Sequence, residues 1–376
     1  MSGLQRMREV FREGWRNLVS GTTRPLLALI AFAIVVGAVG VAQARGLVGV
    51  AQDALQWQRQ GSAVQIITSE GQIDGRVCDA LSGIPGIQAS GAVRSATAVR
   101  IAVLPSVPIN YFEVTGGLPE LLGVVAAPGQ EPGGVWLPED LARVVGTTAT
   151  HLPMVEDRAD VPGRWVYAGN PPISGVFNSP AGGQSSPLDY SVLAQVPSTI
   201  DNFDSCWALL WPESSHALSL LHYAAIPVPD EGMFQPPRLS QLNTTAGTSF
   251  NAAGRIGALP TFEFTVAAVA FSAVLGFALI NFRRLELASA LHAGVRKPSL
   301  LIQIVVETLG WLIPASVAAI AASYVAARRG NPDPFWVAFY PSLRTVLIAL
   351  IAALIASVLA AAIVRERRLF RHFKQR

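Results

Sequence analysis

The sequence predicts a membrane α-helical protein with four transmembrane helices and a large α+β extracytoplasmic domain inserted between the first and the second. Three observations predict this. Of 376 residues, 51% are hydrophobic and only 14% charged, against roughly 25% charged in an ordinary soluble domain, and the mean hydropathy is +0.40. Four apolar runs each reach the ~20 residues that a hydrocarbon core requires. About 215 residues of soluble composition separate the first run from the other three. The same figures exclude other classes: 33 Gly and 26 Pro follow no period, and two Cys are too few for a disulfide-dense mini-protein.

Residues 1–24 come first. Leu4, Met7, Val10, Phe11, Trp15, Leu18 and Val19 recur at helical spacing, with Arg6, Arg12 and Arg16 on other faces. That pattern predicts an amphipathic helix lying at a membrane surface. The first span, residues 25–44, has no ionisable side chain and is bounded by Arg24 and Arg45. Ala42-Gln43-Ala44 has the form that precedes a signal-peptidase cut, but the apolar run exceeds the roughly 7 to 15 residues of a signal sequence. Residues 45–260 make the outer domain. The second span is 261–282, with Glu263 near one end, and 283–299 is a short link. The third span, 300–327, carries Glu307 and Pro314; residues 328–344 form an outer loop, 345–364 an uncharged fourth span and 365–376 a tail.

Basic residues set the orientation, because loops rich in Lys and Arg stay cytoplasmic. Residues 1–24 hold five Arg, 283–299 four Lys or Arg, and 365–376 six, and an even number of crossings puts all three stretches on one side. These stretches carry a net charge of +11. The outer domain has ten Arg against 18 acidic residues, a net of −8. Arg328, Arg329 and Arg344 dissent, three against fifteen. Both termini are therefore expected in the cytoplasm.

Within the outer domain, Ala63 to Ser69 is rich in β-formers, Ile73 to Leu81 has helical spacing, and Val99, Ile101 and Val103 alternate as on a half-buried strand. Gly134 to Leu137 reads as a strand feeding a helix at Pro138 to Val145. Trp165 to Tyr167 and Tyr190 to Val196 read as strands, and Ser215 to Tyr223 as a helix. Asn170 to Pro187, dense in Pro, Gly and Ser, reads as a long surface loop dividing two subdomains. Cys78 and Cys206 both fall in this domain, which an oxidising compartment would favour as a disulfide; two buried thiols are the alternative.

The chemistry-bearing motifs are missing. The chain has two lysines, Lys297 and Lys374, and neither stands in the Gly-Lys-Ser/Thr of a P-loop. His151, His216, His222, His292 and His372 show no metal-ligand spacing, and no G-x-S-x-G elbow occurs. No metal site, catalytic residue or cofactor site of the chain's own is expected, nor a nucleic-acid partner. Glu307, inside the third span about two turns from Ser299, could reach polar surroundings or a basic partner, and is expected to pair at a helix interface.

The link is the most informative stretch. It is basic, breaks at Gly294 and re-enters the membrane after Pro298 and Ser299. A short helix there could be an anchoring turn or the place where a transmembrane unit takes up motion from a soluble motor. Its residues resemble those of the permease subunits of type VII ABC transporters, the MacB-like and FtsX-like group. Arg283, Arg284, Glu286 and Leu287 match the opening of that family's link, Ala290, Leu291, Ala293 and Gly294 its middle, and Glu307 the later Glu. Ile109 to Val114 and Val135 to Ala142 resemble segments of the MacB-like periplasmic domain. His292, and a tail without P-x-x-A-L-R, depart from the pattern.

The resemblance implies a permease that couples ATP hydrolysis by a separate cytoplasmic ATPase to movement of outward-facing domains, called mechanotransmission. ATP and Mg would be bound by that partner. Contact with it would fall on Arg283, Arg284, Glu286, Ala290, Leu291, His292, Ala293, Gly294, Val295 and Arg296. The other implied partners are a second permease chain, as a homodimer or a related heterodimer, the lipid bilayer of a bacterial cell membrane, and an extracytoplasmic protein or peptide. The cargo class would be a peptide, an antibiotic or a lipoprotein. An FtsX-like regulator of cell-wall hydrolases and a non-ABC membrane-anchored sensor or scaffold are the competing readings.

Overall fold

Among the described residues, four helices are long and apolar enough to cross a bilayer: one before a mixed sheet domain and three after it. The computed structural model describes residues 25–126, 134–146, 149–155, 170–178, 188–227 and 236–364. The expected leader helix, the tail and the strand at Trp165 to Tyr167 lie outside them. The chain divides into a sheet unit, Ala54–Phe250, and a membrane unit made by the residues on either side.

The long helices are α1 (Pro25–Arg59), α2 (Thr261–Phe282), α4 (Lys297–Arg328) and α5 (Phe335–Ile363), with the short α3 (Arg284–His292) between α2 and α4. Two expected boundaries move. The helix of the first span runs on from Ala44 to Arg59, because Arg45 to Arg59 contains no Pro and a helix that leaves lipid keeps its internal hydrogen bonds in water. The expected outer loop, 328–344, shrinks to residues 329–334 as α5 begins at Phe335, ten residues before the apolar run.

Lipid offers no hydrophobic drive between helices, so close packing and polar contacts hold them. On α2, Ala268, Ser272, Gly276 and Ile280 are buried at every fourth position. A Cβ at Gly276 would run into the Ala353 carbonyl oxygen and Ser357 Oγ of α5. Gly40 of α1 meets Ser323 of α4 in the same way, and its carbonyl accepts from Ser342 Oγ of α5 at 2.8 Å. Gln43 Nε2 donates to the Thr261 carbonyl at 3.0 Å and to Thr265 Oγ1 at 3.1 Å, and Thr265 Oγ1 lies 3.0 Å from Thr345 Oγ1. Phe32 and Trp311 pack edge to face with centroids 6.2 Å apart.

The described strands of the sheet unit are β1 (Val64–Ile73), β2 (Ile87–Ile101), β3 (Leu104–Val114), β4 (Val125–Ala126), β5 (Val135–Pro138), β6 (Met154–Val155), β7 (Ile173–Phe177), β8 (Ser191–Gln195), β9 (Phe203–Leu210) and β10 (Arg238–Gln241). They join one sheet in the order β10-β1-β9-β2-β3-β8-β5-β7-β4, with β6 on β2. Side chains alternate between faces. Ile67 and Cys206 pack into one core with the helices Gly75–Ala80 and Ser215–Leu220, whereas their neighbours Ile66 and Trp207 pack into another with Leu118 and Leu193.

Three expectations change here. β7 lies inside the stretch read as a loop: Ile173, Ser174, Gly175 and Phe177 are buried, and β7 pairs in parallel with β5. One sheet runs through the unit, so the loop does not divide two subdomains. Val103 is not on a strand; β2 ends at Ile101 and Val103 sits 45% exposed in the turn to β3.

Candidate functional site

The link is built from the end of α2 to the start of α4. Arg283 interrupts the helix with φ −99° and ψ 8°, and α3 starts at the next residue. One side of α3 is apolar. Leu287 packs with Ile280, Leu300, Ile304, Ala360 and Ala361, and Ala290 and Leu291 cover the same cluster. These contacts pin α3 against the ends of α2, α4 and α5.

A polar lock completes the attachment. Arg283 Nε and Nη2 donate to the Glu286 carboxylate at 3.0 and 2.9 Å, while Nη1 donates to Glu307 Oε2 at 2.5 Å. Gln303, one turn before Glu307, donates to its other oxygen at 3.0 Å. The Arg283 and Glu307 side chains are 11% and 6% exposed, and Glu286 is 56% exposed. Charge-assisted bonds of this kind are the stronger ones. The Arg283 hydrogen bond outweighs burial and holds the Glu286 carboxyl below its usual range. Burial would lower Arg283, but bonding and attraction to Glu286 and Glu307 raise it instead.

The other side of the link faces outward. Arg284, His292, Ala293, Gly294, Val295, Arg296 and Lys297 are exposed. After α3 the chain turns at Gly294, whose φ is +90°. Gly294 N–H donates to the Leu291 carbonyl and Val295 N–H to the Ala290 carbonyl, both at 3.1 Å, the paired bonds of a Schellman turn. A Cβ at Gly294 would meet open space, and the residues of the turn are exposed. With Glu286 held by Arg283, the exposed surface is left with Arg284, Arg296 and Lys297 and is cationic.

The ten link residues expected at this site thus divide by role. Arg283, Ala290 and Leu291 attach the link, Glu286 bridges, and the remainder are presented outward. Glu307 joins the attachment. Sequence reasoning passed over Gln303; the four-residue step from Gln303 to Glu307 on one helical face was the available signal. Cys78 and Cys206 lie in the sheet unit, where a disulfide joins the helix Gly75–Ala80 to β9.

The sheet unit also has a cleft of about 510 Å³ over Ile66, Val93, Phe112 and Trp207, with Thr68, Ser95 and Asp204 at its sides. Asp204 is committed to the backbone, accepting from Gly71 N–H at 3.0 Å and Ser95 N–H at 2.8 Å. Among the described residues no group of three or more His, Cys, Asp or Glu could hold a metal ion.

No protein-family model matches the chain, and no curated protein does. Solved structures similar to part of it include the periplasmic region of MacB from Actinobacillus actinomycetemcomitans, at 10% identity and TM-score 0.31 over 44% of this chain and 83% of that one. A domain of a putative permease protein from Porphyromonas gingivalis is similar at 17% identity and TM-score 0.29, over 42% and 78%. The extracellular domain of the noncanonic ABC-type transporter YknZ from Gram-positive bacteria is similar at 10% and 0.27, over 42% and 88%. Likeness at this level assigns neither activity nor partner to the chain.

Proposed function

We propose that this chain is the permease subunit of an ATP-binding cassette complex working by mechanotransmission. A separate cytoplasmic ATPase holds ATP and Mg, and its closure pushes on the link. The spans carry the push across the membrane, where the sheet units of two permease chains do the work on a peptide, antibiotic or lipoprotein-type cargo. In this reading the chain itself catalyses no reaction, and both its termini are cytoplasmic.

The observation that carries the reading is the link. An anchoring turn needs only to be buried at its ends. Here a separate helix is fixed to three spans by an apolar face and the Arg283 lock, while the cationic turn at Gly294 is exposed. A rigid attachment with an exposed tip transmits force, and its charge fits an acidic groove on a partner. The order of elements, one span, a large domain and three further spans, supports the same reading.

Co-purification in detergent tests it. The chain should associate with an ATPase encoded beside it, and Arg284→Glu with Arg296→Glu should abolish the association. Failure to bind any ATPase while the chain remains folded would overturn the proposal.

A further inference from the structure

Arg328, Arg329 and Arg344 break the charge asymmetry that orients the spans, and the structure gives each a different surrounding. Arg328 is satisfied within the protein: it donates to Tyr324 OH at 2.8 Å and lies over the Tyr324 and Phe335 rings at 5.5 and 5.6 Å. The Arg329 carbonyl accepts from Arg45 at 3.4 Å. Arg344 is exposed and makes no hydrogen bond or ion pair with a described residue.

Its depth follows from helix contacts. Thr345 of α5 faces Thr265 of α2, 80 positions earlier, and Gly276 packs on Ala353 and Ser357 further down the same pair. The two helices therefore run side by side in one direction, and Arg344 is level with Phe264. From Phe264 to Phe282, α2 carries no charge. That stretch is about 28 Å long at ~1.5 Å per residue, close to the ~30 Å of a hydrocarbon core. Arg344 thus stands at the hydrocarbon boundary remote from the link.

Its face of α5 is also exposed. Trp336 and Tyr340, eight and four residues earlier on the same helical face, are 60% and 69% exposed, and Leu347, Ile351 and Ile355 continue that face at 46%, 53% and 52%. Phe262 of α2, near the same level, is 76% exposed. Exposed Trp and Tyr, here about 12 and 6 Å along the helix from Arg344 at ~1.5 Å per residue, mark the membrane interface. A guanidinium left beside hydrocarbon without a counter-charge is costly, and its planar fork fits a phosphodiester through two parallel hydrogen bonds.

We propose that Arg344, with Tyr340 and Trp336, forms a binding site for the headgroup of an anionic phospholipid in the leaflet remote from the link. The anionic class follows from charge. Arg45, Arg255, Arg328, Arg329 and Arg344 outnumber Asp53, Glu263 and Asp333 at this end of the membrane unit, so a phosphate without a compensating ammonium is favoured. Arg344 anchors the phosphate, and the Tyr340 and Trp336 rings lie along the glycerol and headgroup region above it.

The test uses the full chain in detergent, titrated with phosphatidylglycerol or phosphatidylcholine and read by native mass spectrometry. Wild type should retain phosphatidylglycerol in preference, and Arg344→Gln should weaken that retention about tenfold, the worth of a hydrogen-bonded charge pair, with Arg344→Lys between them. Arg296→Gln with Lys297→Gln, at the other end, should leave the Arg344-dependent binding unchanged. Inorganic phosphate at matched concentration should not compete; competition would place a free anion in the site and overturn the lipid assignment. Equal retention by Arg344→Gln, or no preference over phosphatidylcholine, would overturn the site itself. A phosphatidylglycerol carrying a photoreactive headgroup tests wild type alone: cross-links should fall on residues 336–344, and their absence there would refute the proposal even if the variants fail to fold.

Discussion

Arg283 and Glu307 stand 24 positions apart in the chain and meet at 2.5 Å, joining the first residue of the link to the body of α4. The bond joins the link, at the start of α3, to a long apolar helix. Glu286 and Gln303 add to it: Arg283 also donates to Glu286, and Gln303 donates to the other oxygen of Glu307.

Removing one partner of a buried pair strands the other charge, which costs roughly 3–5 kcal/mol. Arg283 would keep Glu286, so Glu307→Gln is expected at the lower end, about 3 kcal/mol. Arg283→Met combined with Glu307→Leu should be less destabilised than Glu307→Gln alone, because no buried charge is left unpaired: Glu286, which also loses Arg283, is 56% exposed. Denaturation in detergent measures both; a double variant worse than the single one would show that the pair contributes more than its desolvation removes.

Gly294 separates backbone strain from bulk. Its φ of +90° makes Gly294→Ala cost about 1–2 kcal/mol in the turn, without any clash. Gly294→Trp adds the same strain and a large side chain on the presented surface. On the proposed function, the Ala variant should stay coupled to the ATPase, while a complex carrying the Trp variant should hydrolyse ATP without outer-domain activity. Assaying hydrolysis and transport together on both variants distinguishes them, and full coupling with Trp would remove the turn from the contact surface.

The bridge between Cys78 and Cys206 closes a loop of 128 residues and both cysteines are fully buried. In the chain-entropy model a loop of that size contributes about 4–5 kcal/mol. Native protein should therefore titrate no thiol and resist mild reductant, while Cys78→Ala with Cys206→Ala should lower the denaturant midpoint of the sheet unit. An unchanged midpoint would mean that the unfolded state is already constrained in some other way.

Burial raises Asp79 above its ordinary value, more than its bonds to Thr115 and Ser198 lower it. A carboxyl raised on folding is held protonated more readily in the native state, so the sheet unit should gain stability as pH falls through the folded value and lose it as pH rises. Asp79→Asn keeps an acceptor for the Thr115 hydroxyl and removes the titration. The variant should match or exceed wild type at neutral pH and show a smaller gain on acidification; melting curves across that range measure it.

The four spans were legible because lipid imposes a simple requirement, about twenty residues without charge, that leaves a mark in composition. Their ends were less so. Hydropathy stops at Ala44 and starts again at Thr345, whereas the helices run to Arg59 and begin at Phe335, since water permits a helix that lipid does not demand. β7 was hidden for a different reason. Its partners, β5 and β4, are distant in sequence, and parallel pairing with β5 has no local turn to announce it.

By itself the sequence determined the class of protein, the order of spans and domain, the separation of basic and acidic stretches, and which segment is the link. Those are properties of composition and period, read along one dimension. Only the tertiary structure decided that Arg283 is the basic partner of Glu307, that Cys78 meets Cys206, that a Cβ at Gly294 would meet open space, and that Arg344 is exposed on α5. Each of these depends on which faces of separate helices and strands meet, and side chains far apart in the chain acquire neighbours only when the backbone has closed around them.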